Sequence, residues 1–254
     1  MALLDRLMPR FLGIGAMRAG TSWLARHLAE HPSIRMKRKE LHFFDRKIER
    51  RVIPLLPADT DARLRYGCRF IPAALTGEVF GEFTPSYAIL EPDRIARIHR
   101  WMPDARILFI MRDPVERAWS HAKHDYPRWL GRRAEEASRS ELMAWFDLPW
   151  VRQRGDYFDC LTNWMRYFER SQLFLTFLED VMADPRRVLE DAFVFLGVAP
   201  EDADLSRIRN PVHASPGPPI PDWVRDYLEP SFRAPDARLR ELLGRNLPWN
   251  GPKH

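Results

Sequence analysis

Residues 11–22 read FLGIGAMRAGTS, an apolar run that passes straight into a glycine-bounded turn and then into a helical segment. This juxtaposition narrows the possible folds more than any other feature of the chain. Phe11 to Ile14 suits a buried strand, and Ser22 to Glu30 carries helical periodicity that should stop near His31, because Pro32 disfavours helical geometry in the residue before it. A glycine turn between a strand and a helix presents backbone N–H groups to anions at the carboxyl end of a parallel sheet. The spacing G-x-x-x-x-G from Gly15 to Gly20 is that of a nucleotide-phosphate loop, but Thr21 and Ser22 follow where an ATP-binding loop carries Lys. An ATP kinase is therefore disfavoured, and Arg18 is the cation inside the loop. The bland alternative is a tight turn with a surface arginine.

The remaining pattern repeats the strand and helix alternation. Glu78 to Phe83 reads as a strand, Pro92 opens a helix with Ile95, Ile98 and Met102 on one face, and Arg106 to Met111 is a nearly unbroken apolar strand. An unalternating run such as ILFIM suits a strand covered on both faces. Helices follow at Pro114 to Tyr126 and Tyr157 to Arg170, then a strand at Leu173 to Leu178 and a helix from Asp184 to Leu196 ended by Gly197. This order predicts an α/β fold, a P-loop-like central parallel sheet flanked by helices on both faces. Residues 127–154 are rich in Arg and Glu, with one helix at Ser140 to Phe146, and read as a lid or a substrate-facing insertion. Five prolines between Pro211 and Pro221 predict an extended loop, after which two short helices close the chain. No linker stands out, so residues 1–254 are read as one domain with a divergent tail over 211–254.

Composition excludes several functions. The 40 basic and 35 acidic residues give a formal charge of +5, but only five of the basic residues are Lys and the arginines are scattered among acids. Without a basic stripe there is nothing to produce the steep salt dependence of nucleic-acid binding, which is not expected here. No apolar run approaches the roughly 18 residues of a membrane span, and the start lacks a signal peptide's long apolar stretch, so the expected location is the cytoplasm. Cys68 and Cys160 are too few for a disulfide framework, and both are expected to be buried thiols. No Cys and His spacing resembles a metal site, and no metal is expected.

A second anion element ends the ILFIM strand: Arg112-Asp113-Pro114, then Glu116-Arg117 and Ser120. With Pro114 in the first helical turn, Ser120 lies nearly two turns in, where it and Arg112 can converge on one phosphate. The residues alone leave open a second reading, a salt-bridged strand end with a solvent-facing serine. Two anion sites on neighbouring strand ends suit a ligand with two separated phosphate-like groups.

The loop GAMRAGTSWL, the segments KELHFF and EFTPSY, the run ILFIMRDPVERAWS and the later NWMRYF together resemble the sulfotransferases that use 3′-phosphoadenosine 5′-phosphosulfate, in particular the heparan sulfate N- and 3-O-sulfotransferase branch and its bacterial relatives. The resemblance covers about residues 10 to 197. It implies that Arg18, Ala19, Gly20, Thr21 and Ser22 bind the 5′-phosphosulfate, that Arg112 and Ser120 bind the 3′-phosphate, and that Glu40 is the base that deprotonates the acceptor. His42 would orient the acceptor or substitute as base. By residue type alone, a Glu beside Lys39 is more often a solvated pair, and a His in an apolar segment more often a core residue. The chain departs from the family pattern at Arg18 and Phe83, where the family carries lysines, and it lacks the K-G-R segment that covers the nucleotide, which Pro211 to Pro221 would replace. The implied reaction moves a sulfuryl group to a hydroxyl or amine of a small-molecule, saccharide or lipid acceptor, with adenosine 3′,5′-bisphosphate as the product. The alternatives are a nucleotide-binding protein of the same fold that has lost turnover and, after it, an ATP-dependent P-loop kinase. The acceptor's identity and the oligomeric state are not encoded in these motifs.

Aromatic residues are dense around the second motif. Trp119, Tyr126, Trp129, Trp145, Trp150, Tyr157 and Trp164 are expected to be mostly packing residues.

Overall fold

A computed structural model describes residues 2–36, 40–46, 53, 55–76, 78–208 and 219–250. The strands are β1 (Phe11–Gly15), β2 (Ile34–Met36), β3 (Val79–Phe83), β4 (Arg106–Met111) and β5 (Leu173–Phe177). All pairings are parallel, in the order β2-β3-β1-β4-β5. The helices are α1 (Ala2–Arg6), α2 (Thr21–Ala29), α3 (Ala58–Gly67), α4 (Ile71–Thr76), α5 (Pro92–Trp101), α6 (Pro114–Leu130), α7 (Arg139–Phe146), α8 (Pro149–Gln153), α9 (Tyr157–Met165), α10 (Leu178–Ala183), α11 (Pro185–Leu196) and α12 (Asp222–Leu243). This is the central parallel sheet with surrounding helices that the alternation predicts.

From β1 the chain runs to one side of the sheet for β2 and β3, then crosses to the other side for β4 and β5. The reversal beside β1 opens a crevice at the strands' carboxyl ends, where ligands of such sheets gather. β1 is buried along its whole length and β4 in all but its first residue, because helices cover both faces. Close approach in the sheet depends on glycine: a Cβ at Gly13 would lie 1.9 Å from the Phe83 ring, and one at Gly81 2.5 Å from the Phe11 carbonyl oxygen.

Asp113 caps α6, its carboxylate accepting from the Val115 and Glu116 N–H groups, with Pro114 in the first turn. Instead of stopping at Tyr126, α6 runs through Pro127 to Leu130 and ends at Gly131 with φ 66°. A second apolar core explains this extension. Trp119, Ala122 and Tyr126 pack with Leu142, Trp145 and Phe146 of α7 and with Val224, Leu228 and Phe232 of α12. Residues 127–154 thus carry the end of α6, a short 3-10 turn, α7 and α8, with α7 close to its expected bounds.

Three further expectations are corrected. The tail forms one 22-residue helix, α12, rather than two short ones; a buried stripe of Val224, Leu228, Phe232 and Leu239 carries it past Pro230 and Pro235. Helix α9 ends at Met165, since the chain tightens there through the Tyr167 N–H to Trp164 carbonyl bond before the turn into β5. Cys160 is buried but Cys68 is exposed, because the turn after α3 buries Gly67 and Phe70 on either side of it. Most of the Pro211 to Pro221 segment, residues 211–218, lies outside the described residues. Of the aromatic group, Trp119, Tyr126, Trp145, Tyr157 and Trp164 are buried, whereas Trp129 is exposed.

Candidate active site at the carboxyl ends of the strands

The glycine loop leaves β1 at Gly15 and enters α2 at Thr21. Gly20 caps the helix with φ 91°, a left-handed conformation that glycine adopts without strain, and a Cβ there would meet Leu178 at 2.8 Å. A glycine cap contributes no side-chain acceptor, so the first turn of α2 faces the crevice with its N–H groups and the positive end of the helix dipole. Ala19 and Thr21 are buried and Ser22 is exposed.

Arg18 ties this loop to the second motif. Its Nε donates to Ser120 Oγ at 3.1 Å, and Arg112 Nη1 donates to the Arg18 carbonyl at 3.3 Å. Ser120 is buried, at 4% exposure, so the solvent-facing alternative does not hold. Burial, and after it the neighbouring Arg112, lowers the Arg18 guanidinium from its ordinary value, with Asp125 opposing. Arg112 is itself held by the Tyr157 hydroxyl, which donates to its carbonyl at 2.8 Å, and its guanidinium faces Glu116 at 3.6 Å. The loop and the R-D-P-x-x-R-x-x-S motif therefore form one cationic, hydroxyl-lined pocket wall.

Glu40 and His42 stand on the other side, at the end of β3. The Glu40 N–H donates to the Phe83 carbonyl at 2.7 Å, which pins the segment to the strand, and both Glu40 (φ 66°) and His42 (φ 50°) adopt left-handed backbone conformations. Such conformations in non-glycine residues cost energy and cluster at functional sites. Glu40 Oε2 lies 3.6 Å from His42 Nε2, while His42 Nδ1 lies 2.6 Å from Asp45 Oδ2, which also accepts the Ser86 hydroxyl. Asp45 and Ser86 are thus added to the site. Their only sequence signal is that Asp45 follows KELHFF directly and Ser86 lies in EFTPSY. Lys39 lies outside the described residues.

The scaffold under this segment is Glu82. Fully buried, it accepts from Tyr66 at 2.6 Å, Thr84 at 2.7 Å and Tyr87 at 3.3 Å, and burial pushes its carboxyl above the ordinary range. The Tyr87 hydroxyl in turn receives the Phe43 N–H at 2.9 Å. Phe83, where the resembled family carries a lysine, is fully buried, its ring lying over Gly13. It is a core residue and lines no part of the crevice. Arg154 stacks on Trp150, 4.8 Å from the ring centre, within electrostatic reach of both Asp125 and Asp45, and so spans the two walls.

This geometry sets a cationic wall against a carboxylate and imidazole pair. The chain resembles known proteins of one kind. Mouse heparan sulfate glucosamine 3-O-sulfotransferase 6 is 26% identical over 272 residues, spanning 96% of this chain and 75% of that protein. Mouse heparan sulfate glucosamine 3-O-sulfotransferase 3B1 is 30% identical over 201 residues, covering 76% of this chain and 47% of its own length. The crystal structure of a sulfotransferase from Alicyclobacillus acidocaldarius superimposes with a TM-score of 0.71 at 28% identity, covering 94% of this chain and 97% of that one. The likeness thus continues through the C-terminal quarter, beyond the span of the motifs. A family model described as the sulfotransferase domain matches residues 9–213, and the chain belongs to that family.

Proposed function

We propose that the protein transfers a sulfuryl group from 3′-phosphoadenosine 5′-phosphosulfate to a hydroxyl or amine, releasing adenosine 3′,5′-bisphosphate. The observation that carries this reading is the junction of Arg18, Ser120 and Arg112, which makes one wall from two separate anion elements. The residues fit a doubly anionic nucleotide: the Arg18 guanidinium donates to the buried Ser120 hydroxyl, and the Arg112 guanidinium grips the Arg18 carbonyl beside it. When bound, the donor supplies a sulfuryl group on a phosphate that departs as an anion.

The chain's own residues then have distinct tasks. Arg18 and the N–H groups of Gly20 to Ser22 hold the 5′ anion, the Ala19 N–H being taken by the Ala16 carbonyl, while Arg112 and Ser120 hold the 3′-phosphate. Arg18 stabilises the departing charge as a fixed cation but delivers no proton, because arginine stays protonated. Glu40 accepts the acceptor's proton. Asp45 holds the His42 ring through Nδ1 so that Nε2 faces Glu40, as an orienting carboxylate does for a catalytic imidazole. Protein cations meet the leaving-group charge without a metal.

Thermal stabilisation by adenosine 3′,5′-bisphosphate, compared with ADP and with ATP plus magnesium, tests the donor assignment, since a ligand at 100 times its Kd adds about 2.7 kcal/mol. Selective stabilisation by the bisphosphate is expected. Preference for ATP with magnesium, or no response, discards the assignment. Glu40→Gln should abolish transfer and leave bisphosphate binding intact; unchanged turnover removes Glu40 from the base role.

A further inference from the structure

Beyond Arg18 and Arg112, a third guanidinium reaches this wall from the far end of the chain. Arg225 on α12 places Nη2 2.6 Å from Glu116 Oε1, and Arg112 Nη2 lies 3.6 Å from Glu116 Oε2. One carboxylate thus bridges two guanidiniums from separate elements, the arrangement in which arginines also take a phosphate. Arg225 Nη1 faces Asp113 at 3.7 Å and Glu229 at 3.9 Å, and all three members of the bridge are partly buried. Glu116 precedes Ser120 by one helical turn, so both lie on the same face of α6. Lys123 extends that face, within electrostatic reach of Glu116, Arg112 and Arg18. An anion beside Ser120 therefore meets cations on several sides, with Glu116 competing for two of them.

We infer that Arg225 is a specificity-determining residue for the nucleotide's 3′-phosphate, and that Glu116 is an internal stand-in which yields Arg112 and Arg225 to that phosphate on binding. The inference rests on the donor reading above and deepens it. It gives the C-terminal helix a part in nucleotide recognition in a chain whose tail lacks the K-G-R segment. A purely structural role would make the bridge a partly exposed ion pair between α6 and α12, worth little on its own.

The test compares Kd values for adenosine 3′,5′-bisphosphate and adenosine 5′-monophosphate, which differ only in the 3′-phosphate, on the wild type and on Arg225→Gln, Arg225→Lys and Glu116→Gln. Loss of a charged hydrogen bond predicts that Arg225→Gln weakens the bisphosphate roughly ten- to a hundredfold and the monophosphate less than about twofold. Arg225→Lys should recover part of the loss, and Glu116→Gln should tighten the bisphosphate alone. Equal weakening of both ligands by Arg225→Gln, a lowered melting temperature with unchanged affinities, or weaker bisphosphate binding by Glu116→Gln overturns the inference. A wild type that does not prefer the bisphosphate sinks the donor reading itself. A wild type that does prefer it, with Arg225→Gln unchanged, sinks only the role of Arg225.

Discussion

His42 Nδ1 lies 2.6 Å from Asp45 Oδ2, three residues on, and the same oxygen accepts the Ser86 hydroxyl. A carboxylate with two donors is a fixed point, so the imidazole ring has one orientation and Nε2 faces Glu40. Asp45→Ala leaves both donors without their acceptor and frees the ring to rotate. Transfer should then fall by about 10²- to 10⁴-fold, the range seen when a general base or its orienting group is disturbed. Bisphosphate affinity should change less than about twofold. The check is a sulfate-transfer assay with an acceptor from a hydroxyl and amine panel that the wild type turns over, run beside a binding titration; a parallel loss in both shows that Asp45 supports the fold and not the reaction.

Arg18 holds the two anion elements together through Ser120 and through the carbonyl that Arg112 grips. Arg18→Ala removes a cation and the bond to Ser120 at once, while the loop backbone keeps its glycine-dependent path. Bisphosphate Kd should rise roughly ten- to a hundredfold, as expected for a charge-assisted hydrogen bond. Arg18→Lys restores the charge but not the planar fork, so affinity should be intermediate. Calorimetric titration of the three proteins decides this, and an alanine variant binding as tightly as the wild type would remove Arg18 from the site.

The glycine turn and the start of α6 were legible because backbone and sequence coincide there: a glycine turn after an apolar strand, and a proline in the first turn of a helix, leave local traces. The placement of Ser120 was harder to read, because its partner Arg18 lies 102 positions away. Asp45 and Ser86 were missed for the same reason, since two polar residues in separate segments meet only once β3 and the Glu40 segment are docked. Phe83 misled in the opposite sense. It stands where the resembled family carries a lysine, but its strand register directs the ring onto Gly13 and into the core. The run of α12 past two prolines was unreadable from propensity, because tertiary burial of one face outweighs the local cost.

The pairing of Phe83 with Gly13 makes a stability prediction independent of catalysis. The ring is fully buried, lies 6.5 Å centre to centre from Phe11 and fills the space left by Gly13. Phe83→Ala should cost about 3 to 5 kcal/mol, the usual range for deleting a buried aromatic ring. Phe83→Lys, which installs the family's residue, should cost at least as much because it buries an ammonium group in an apolar site. Denaturant unfolding measures both, and a lysine variant as stable as the wild type would show that the side chain turns out into the crevice.

Asp236 on α12 provides a prediction about pH. It is 8% exposed and accepts from Trp249 Nε1 at 2.7 Å, yet burial pushes its carboxyl up to about 6, with Asp113 and Asp156 adding to the effect against the pull of that hydrogen bond. Because the folded value lies above the unfolded one, the fold binds the proton more tightly. Asp236 then contributes its full stabilisation below about pH 4 and loses it as pH rises through about 6. At about 1.4 kcal/mol per pH unit, the interval is worth at most about 3 kcal/mol. Asp236→Asn removes the titration and keeps an acceptor for Trp249. Its stability relative to the wild type should therefore rise between pH 4 and pH 7, measured by urea unfolding at each pH. A constant difference across that range would show that Asp236 titrates alike in the folded and unfolded chain, and that its contact with Trp249 is indifferent to charge.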